Sequence, residues 1–280
     1  MTHKKVTTIK GFWEEFYYRF HHDEVVGLAA QLAYFFLLSL FPFLIFLITL
    51  IGYLPISQVD VLGIVSEYAP GQTMHLIETT LNEIMDKQRG GLLSFGVIAT
   101  IWSASNGINA IIRAMNRAYD VKENRSFIVS RLMAIVLTIA MIIVIIVALL
   151  LPVFGKAIGI FIFTNLGLSE SFLSVWNVMR IIISFFIMVI VLAALYRFAP
   201  NIRLTMREVW IGALFATVGW QIVSLAFSYF VTNFGNYSAT YGSLGGIIIL
   251  LIWFYLSAMV IVIGGEINAM IKLNGLHFHK

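Results

Sequence analysis

The sequence predicts an all-α, polytopic membrane protein with six transmembrane helices, both termini cytoplasmic, in one domain over residues 1–280. Three observations carry this. Sixty per cent of residues are hydrophobic and 11 per cent charged, against roughly 25 per cent charged in a soluble domain. Six apolar runs each reach the ~20 residues that cross a bilayer. The basic residues alternate in side.

The runs are 29–53, 92–112, 131–151, 178–199, 209–231 and 242–270. With the N-terminus inside, only Lys87, Arg89, Lys156 and Arg180 fall outside, leaving 14 of the 18 lysines and arginines on the cytoplasmic side. That bias orients the protein and accounts for the net charge of +4 without invoking nucleic acid. Cysteine is absent, so disulfides and thiolate metal sites are excluded. The first twenty residues lack a continuous apolar stretch, so the first span is expected to act as a retained insertion signal.

Outside the spans, residues 11–22 carry Phe12, Trp13, Phe16, Tyr17 and Phe20 at helical spacing, which predicts an amphipathic helix lying in the cytoplasmic interface. The outer segment 54–91 is too long for a bare connection. Pro70-Gly71 divides it, and Met74, Ile77, Leu81 and Ile84 share one face of the second half. A helical hairpin over the outer mouth is expected, either gating it or packed on it.

On helical wheels the polar residues converge. In the second span Trp102, Asn106, Asn109, Arg113, Asn116 and Asp120 fall within about 40° of one line. Lipid does not solvate such a face. The first span offers Gln31, Tyr34 and Pro42, the last expected to free a backbone carbonyl or bend the helix. The fifth adds Thr217, Gln221, Ser224 and Ser228. The sixth has two polar sides, Tyr255 with Glu266, and Gly246, Trp253, Ser257, Gly264 with Asn268. Gly242 and Gly246 have the GxxxG spacing of close helix approach. The third span, and the fourth apart from Arg180 and Ser184, are expected to face lipid. Ile108–Arg113 echoes Ile267–Lys272, which fits either a parallel repeat or chance.

Glu266 reads either as a titratable group in a pathway or as a buried post paired with Arg113 or Arg197. Asn106, Asn109 and Gln31 read first as hydrogen-bonding glue between helices, then as ligands. His277 and His279 belong to a solvated tail. No nucleotide-binding, zinc-protease or serine-hydrolase motif is present, so no catalytic residue, metal or cofactor is assigned.

Four stretches together resemble one family: Ala29-Ala-Gln-Leu-Ala-Tyr through Phe41-Pro42, Trp102-Ser-Ala-Ser-Asn through Ala118-Tyr119, Tyr196-Arg-Phe-Ala-Pro200, and Tyr241-Gly-Ser-Leu-Gly through Gly265-Glu-Ile-Asn-Ala269. They are similar, in order and over nearly the whole chain, to the YihY/BrkB family of bacterial inner-membrane proteins. The resemblance implies six helices in the cytoplasmic membrane and the working description of a transporter, with a lipid or another amphiphile among its cargoes. It also carries an old ribonuclease BN label, which nothing in these residues supports, since a nuclease needs a metal-binding set on an aqueous face.

Two readings of function follow. In the first, the polar faces of spans 1, 2, 5 and 6 line a cavity through which an amphiphile moves. Gln31, Tyr34, Trp102, Asn106, Asn109, Arg113, Gln221, Tyr255, Glu266 and Asn268 are then the pathway candidates, and Pro42, Gly242, Gly246 and Gly264 shape the helices. In the second, the polar faces only bind one another, and the protein is a scaffold for envelope assembly. A membrane enzyme is the third and weakest reading. Membrane lipids are the expected partners, a homo-oligomer is compatible, and no nucleic acid is expected.

Overall fold

The computed structural model describes residues 8–51, 90–142, 170–234 and 245–273. Among them there are seven helices and no strand: α1 (Ile9–His22), α2 (Val25–Ile51), α3 (Gly90–Ala118), α4 (Phe127–Ile142), α5 (Glu170–Phe198), α6 (Met206–Phe234) and α7 (Gly245–Leu273). The segment expected to form an outer hairpin, Gly242 and the histidine tail lie outside the described residues. Five helices are long and apolar enough to cross a membrane, in α2, α3, α5, α6 and α7; α4, within the expected third span, is described as a shorter apolar helix.

Local chemistry sets the helix ends. Thr8 is extended and its hydroxyl accepts from the Gly11 N–H at 3.2 Å, an N-cap for α1. Arg19, His21 and His22 fill the last turn of α1, where cations complement the helix dipole. Glu24 follows at φ 55°, and its carbonyl takes the Leu28 N–H as α2 begins. α3 closes in a Schellman turn: Val121 N–H reaches Asn116 O at 2.8 Å and Asp120 N–H reaches Arg117 O at 3.0 Å, with Asp120 at φ 52°. Thr205 and Glu208 form a capping box for α6, the Thr205 N–H donating to the Glu208 carboxylate at 2.7 Å. Pro42 leaves α2 a single helix from Val25 to Ile51.

The chain forms two compact units, Met1–Tyr34 with Ser105–Lys280, and Phe35–Ala104. In the smaller unit α2 and α3 meet at Gly96, where an added Cβ would stand 3.0 Å from the Phe46 backbone. In the larger unit α7 packs most extensively on α6, α6 on α5, and α1 on α7. Small residues permit these approaches. A methyl group on Gly212 would collide with the Gly264 carbonyl and the Asn268 carboxamide; one on Gly264 would strike the Tyr196 hydroxyl and, at 2.8 Å, Gly212 O. No described atom lies within 4 Å of a Cβ built on Gly246, so close approach occurs at Gly264 rather than there.

Polar groups lock the α6–α7 seam. Asn268 is fully buried; its oxygen accepts from Gly212 N–H at 2.7 Å and its amide donates to Val209 O at 3.1 Å. Further along, Trp220 Nε1 donates to Ser257 and Trp253 Nε1 to Ser224, at 3.1 and 3.3 Å. The two indoles meet edge to face with centroids 6.0 Å apart.

Candidate functional site

Two polar arrangements occupy the basic end of the larger unit, one sealed and one open. The sealed one surrounds Glu266, which is 0% exposed on α7. Neither of its oxygens has a hydrogen-bond partner among the described residues. Its ion-pair neighbour is Arg19 of α1, with Nη1 3.9 Å from Oε2, and not Arg113 or Arg197. Arg19 is itself buried and directs donors elsewhere, Nε to Glu15 at 2.7 Å and Nη1 to Ala118 O, at the end of α3, at 3.0 Å. Beside Glu266, the Tyr119 hydroxyl is buried without a partner among the described residues. Burial, reinforced by the charges of Glu208 and Glu266, raises the Tyr119 pKa above that of an ordinary phenol.

Arg117 completes this corner. Its Nη2 donates to His22 O at 2.7 Å, its Nη1 lies 3.3 Å from Glu24, and its Nε lies 3.7 Å from the buried Asp23. On the next loop, Arg125 grips both oxygens of Glu123 at 2.7 and 2.6 Å and also donates to Ala199 O just beyond α5. Asn116 donates to Glu123 at 2.9 Å and accepts from Asn201 N–H at 2.6 Å. The Arg125 hydrogen bonds hold the Glu123 carboxyl below its usual pKa.

The open arrangement is a cleft of about 290 Å³ between α3 and the start of α4, lined by Asn109, Ile112, Arg113, Glu123, Phe127, Ser130 and Arg131. Asn109 and Arg113 are four residues apart on α3, and Phe127, Ser130 and Arg131 share a face of α4, so each helix turns one stripe into the cleft. Arg131 Nη1 donates to Asn106 at 2.7 Å. Arg113 has no ion-pair or hydrogen-bond partner among the described residues. A second cleft, of about 320 Å³ between α6 and α7, is lined by Val223, Ala226, Phe227, Phe230, Ile252 and Leu256 and offers no polar chemistry.

Of the expected pathway residues, then, Asn109 and Arg113 line the open cleft and Asn106 borders it through Arg131. Asn268 is consumed in the α6–α7 seam and Glu266 is sealed beneath α1. Gln31 and Tyr34 are exposed on α2, Gln221 and Tyr255 half-buried on α6 and α7, and Trp102, in the smaller unit, is 58% exposed. The α4 side of the cleft departs from the expected lining by spans 1, 2, 5 and 6. The third span, taken as 131–151, is expected to face lipid; its helix starts at Phe127, and Phe127, Ser130 and Arg131 line the cleft. Sequence reading also missed Arg19, whose burial depends on the end of α3 standing against it. Among the described residues no three histidine, aspartate or glutamate side chains gather as metal ligands.

Apolar helices of spanning length, polar seams between them and a charged cleft at one end define a multi-pass helical membrane protein. The chain belongs to the family described as virulence factor BrkB, whose family model matches residues 16–277. It is 56% identical over 260 residues to the ribonuclease-like protein YfkH of Bacillus subtilis (strain 168), covering 93% of this chain and 94% of that one. It is 26% identical to a UPF0761 membrane protein of Aeromonas salmonicida (strain A449), over 90% of this chain and 85% of the relative. A UPF0761 membrane protein of Alkalilimnicola ehrlichii is also 26% identical, and there the chain spans 58% of the relative's length. No solved structure matches.

Proposed function

We propose that this protein is a transporter of the bacterial cytoplasmic membrane that moves an amphiphile along the polar flank of α3. One observation carries the reading: Asn109 and Arg113 line an open cleft instead of being packed against another helix. Arg113 has no counter-charge among the described residues, which supports a ligand position at this cleft. Reconstitution into liposomes with labelled phospholipids tests it. Flux above that of empty vesicles, reduced in Arg113→Gln, is the expected result; no flux across a panel of lipids and amphiphiles overturns it.

The scaffold reading draws on a different observation, that Asn106 and Asn268 spend their amides on neighbouring helices. It predicts that Arg113→Gln leaves every flux unchanged. Neither reading includes a catalytic step, and the ribonuclease-like name of the Bacillus subtilis relative is not carried over to this chain.

A further inference from the structure

We infer that the α3–α4 cleft is a binding site for the phosphate of an anionic phospholipid, held by Arg113 and Arg131 with Asn109 and Ser130 as neutral partners. The inference rests on the transport reading in taking this ligand as the cargo class of the same cleft.

The charge balance comes first. The cleft is lined by two guanidinium groups and one carboxylate. That carboxylate does not neutralise it. Glu123 Oε1 accepts from the Arg125 N–H and Nε, and Oε2 from Arg125 Nη2 and Asn116. Arg125 thus cancels Glu123 outside the cleft, while Arg113 has no partner among the described residues. Arg131 is anchored through Asn106, which fixes the position of its guanidinium. Arg113, unpaired among the described residues and beside the fixed guanidinium of Arg131, favours a ligand bearing negative charge, and guanidinium geometry suits phosphate oxygens. The amide of Asn109 and the hydroxyl of Ser130 can donate to the remaining oxygens.

Depth and surroundings then point to a lipid. Arg113 lies five residues before the end of α3, hence about 7–8 Å below the helix terminus. That is the depth of headgroups when the helix end stands at the membrane surface. The positive-inside bias assigns this end to the cytoplasmic leaflet, where anionic lipids attract basic residues. Phe127, at the cleft, is 82% exposed and offers an apolar ring to an acyl chain. A zwitterionic lipid would bring an ammonium group towards the two arginines and forfeit part of the gain.

Native mass spectrometry of the full chain released from micelles tests the site. The probes are dioleoyl phosphatidylglycerol, dioleoyl phosphatidylcholine and inorganic phosphate. Wild-type protein is expected to bind the phosphatidylglycerol about five- to ten-fold more tightly than the phosphatidylcholine. Arg113→Gln, verified as folded by circular dichroism, is expected to abolish the difference. Should that variant misfold, Ser130→Asp, which places a negative charge in the cleft, is expected to do the same. Equal affinity of the wild type for both lipids, or a preference unchanged in whichever variant folds, overturns the inference. So does inorganic phosphate binding alone and displacing the lipid with the same dependence on Arg113, because the ligand would then be a soluble anion. Binding that survives while flux is absent counts against transport only; flux that survives without the binding preference counts against the site only.

Discussion

Arg19 and Arg117 close each other's helices. Arg19, near the end of α1, donates to the Ala118 carbonyl that ends α3; Arg117, near the end of α3, donates to the His22 carbonyl that ends α1. Each guanidinium therefore satisfies carbonyls that a helix terminus leaves open, at the negative pole of the partner's dipole. The exchange ties the N-terminal helix to the membrane bundle.

The two arginines differ in setting, and their removal should differ in cost. Arg19 is buried between Glu15 and Glu266, so Arg19→Ala leaves buried carboxyl groups behind and should cost about 3 kcal/mol. Arg117 is partly exposed, and Arg117→Ala should cost about 1 kcal/mol. Unfolding in mixed micelles, with a double-mutant cycle, measures both; equal costs would show that burial of Arg19 does not matter.

The α6–α7 seam makes a sharper prediction. Gly212→Ala inserts a methyl group against backbone and a buried amide, so it should destabilise by about 2 kcal/mol or more. Gly246→Ala, in open space, should change stability by less than about 0.5 kcal/mol. Comparing the two variants' unfolding midpoints decides whether Gly212 or the Gly246 spacing sets helix approach.

Glu123 gives a pH dependence. Its carboxyl is held below the ordinary value by Arg125, so its stabilising contribution is present above the unfolded-state value near 4.5 and lost as pH falls through the lower folded value. Stability of the wild type should therefore drop in that acid window, and Glu123→Gln should flatten the profile there. Thermal melts between neutral and acid pH would show it; parallel profiles would refute the Arg125 pairing.

Asp120 sits in the left-handed region at the end of α3, a conformation that costs a residue with a Cβ about 1 kcal/mol. Asp120→Gly should raise stability by about that amount, in a protein where most substitutions lower it. A lowered melting temperature would mean that the aspartate side chain has a role there.

Five of the six expected spans were legible because hydropathy depends on composition, and the α3 stripe because 3.6-residue periodicity survives without knowledge of partners. Partners themselves were not legible. A wheel drawn for α1 alone puts Arg19 off the aromatic face but cannot show that the ends of α3 and α7 close over it. GxxxG spacing marked Gly242 and Gly246, yet contact depends on which face the neighbouring helix presents, and α6 presents Gly212 to Gly264. The start of α6 is legible too: Thr205-Met-Arg-Glu208 is a capping box in the sequence itself.

The meeting of Gly212, Gly264 and Asn268 has a mechanical corollary. With backbone against backbone and both amide functions of Asn268 committed, neither rod can slide or roll past the other without breaking buried hydrogen bonds. α6 and α7 thus travel as one post, and any working stroke must find its hinge on another part of the chain.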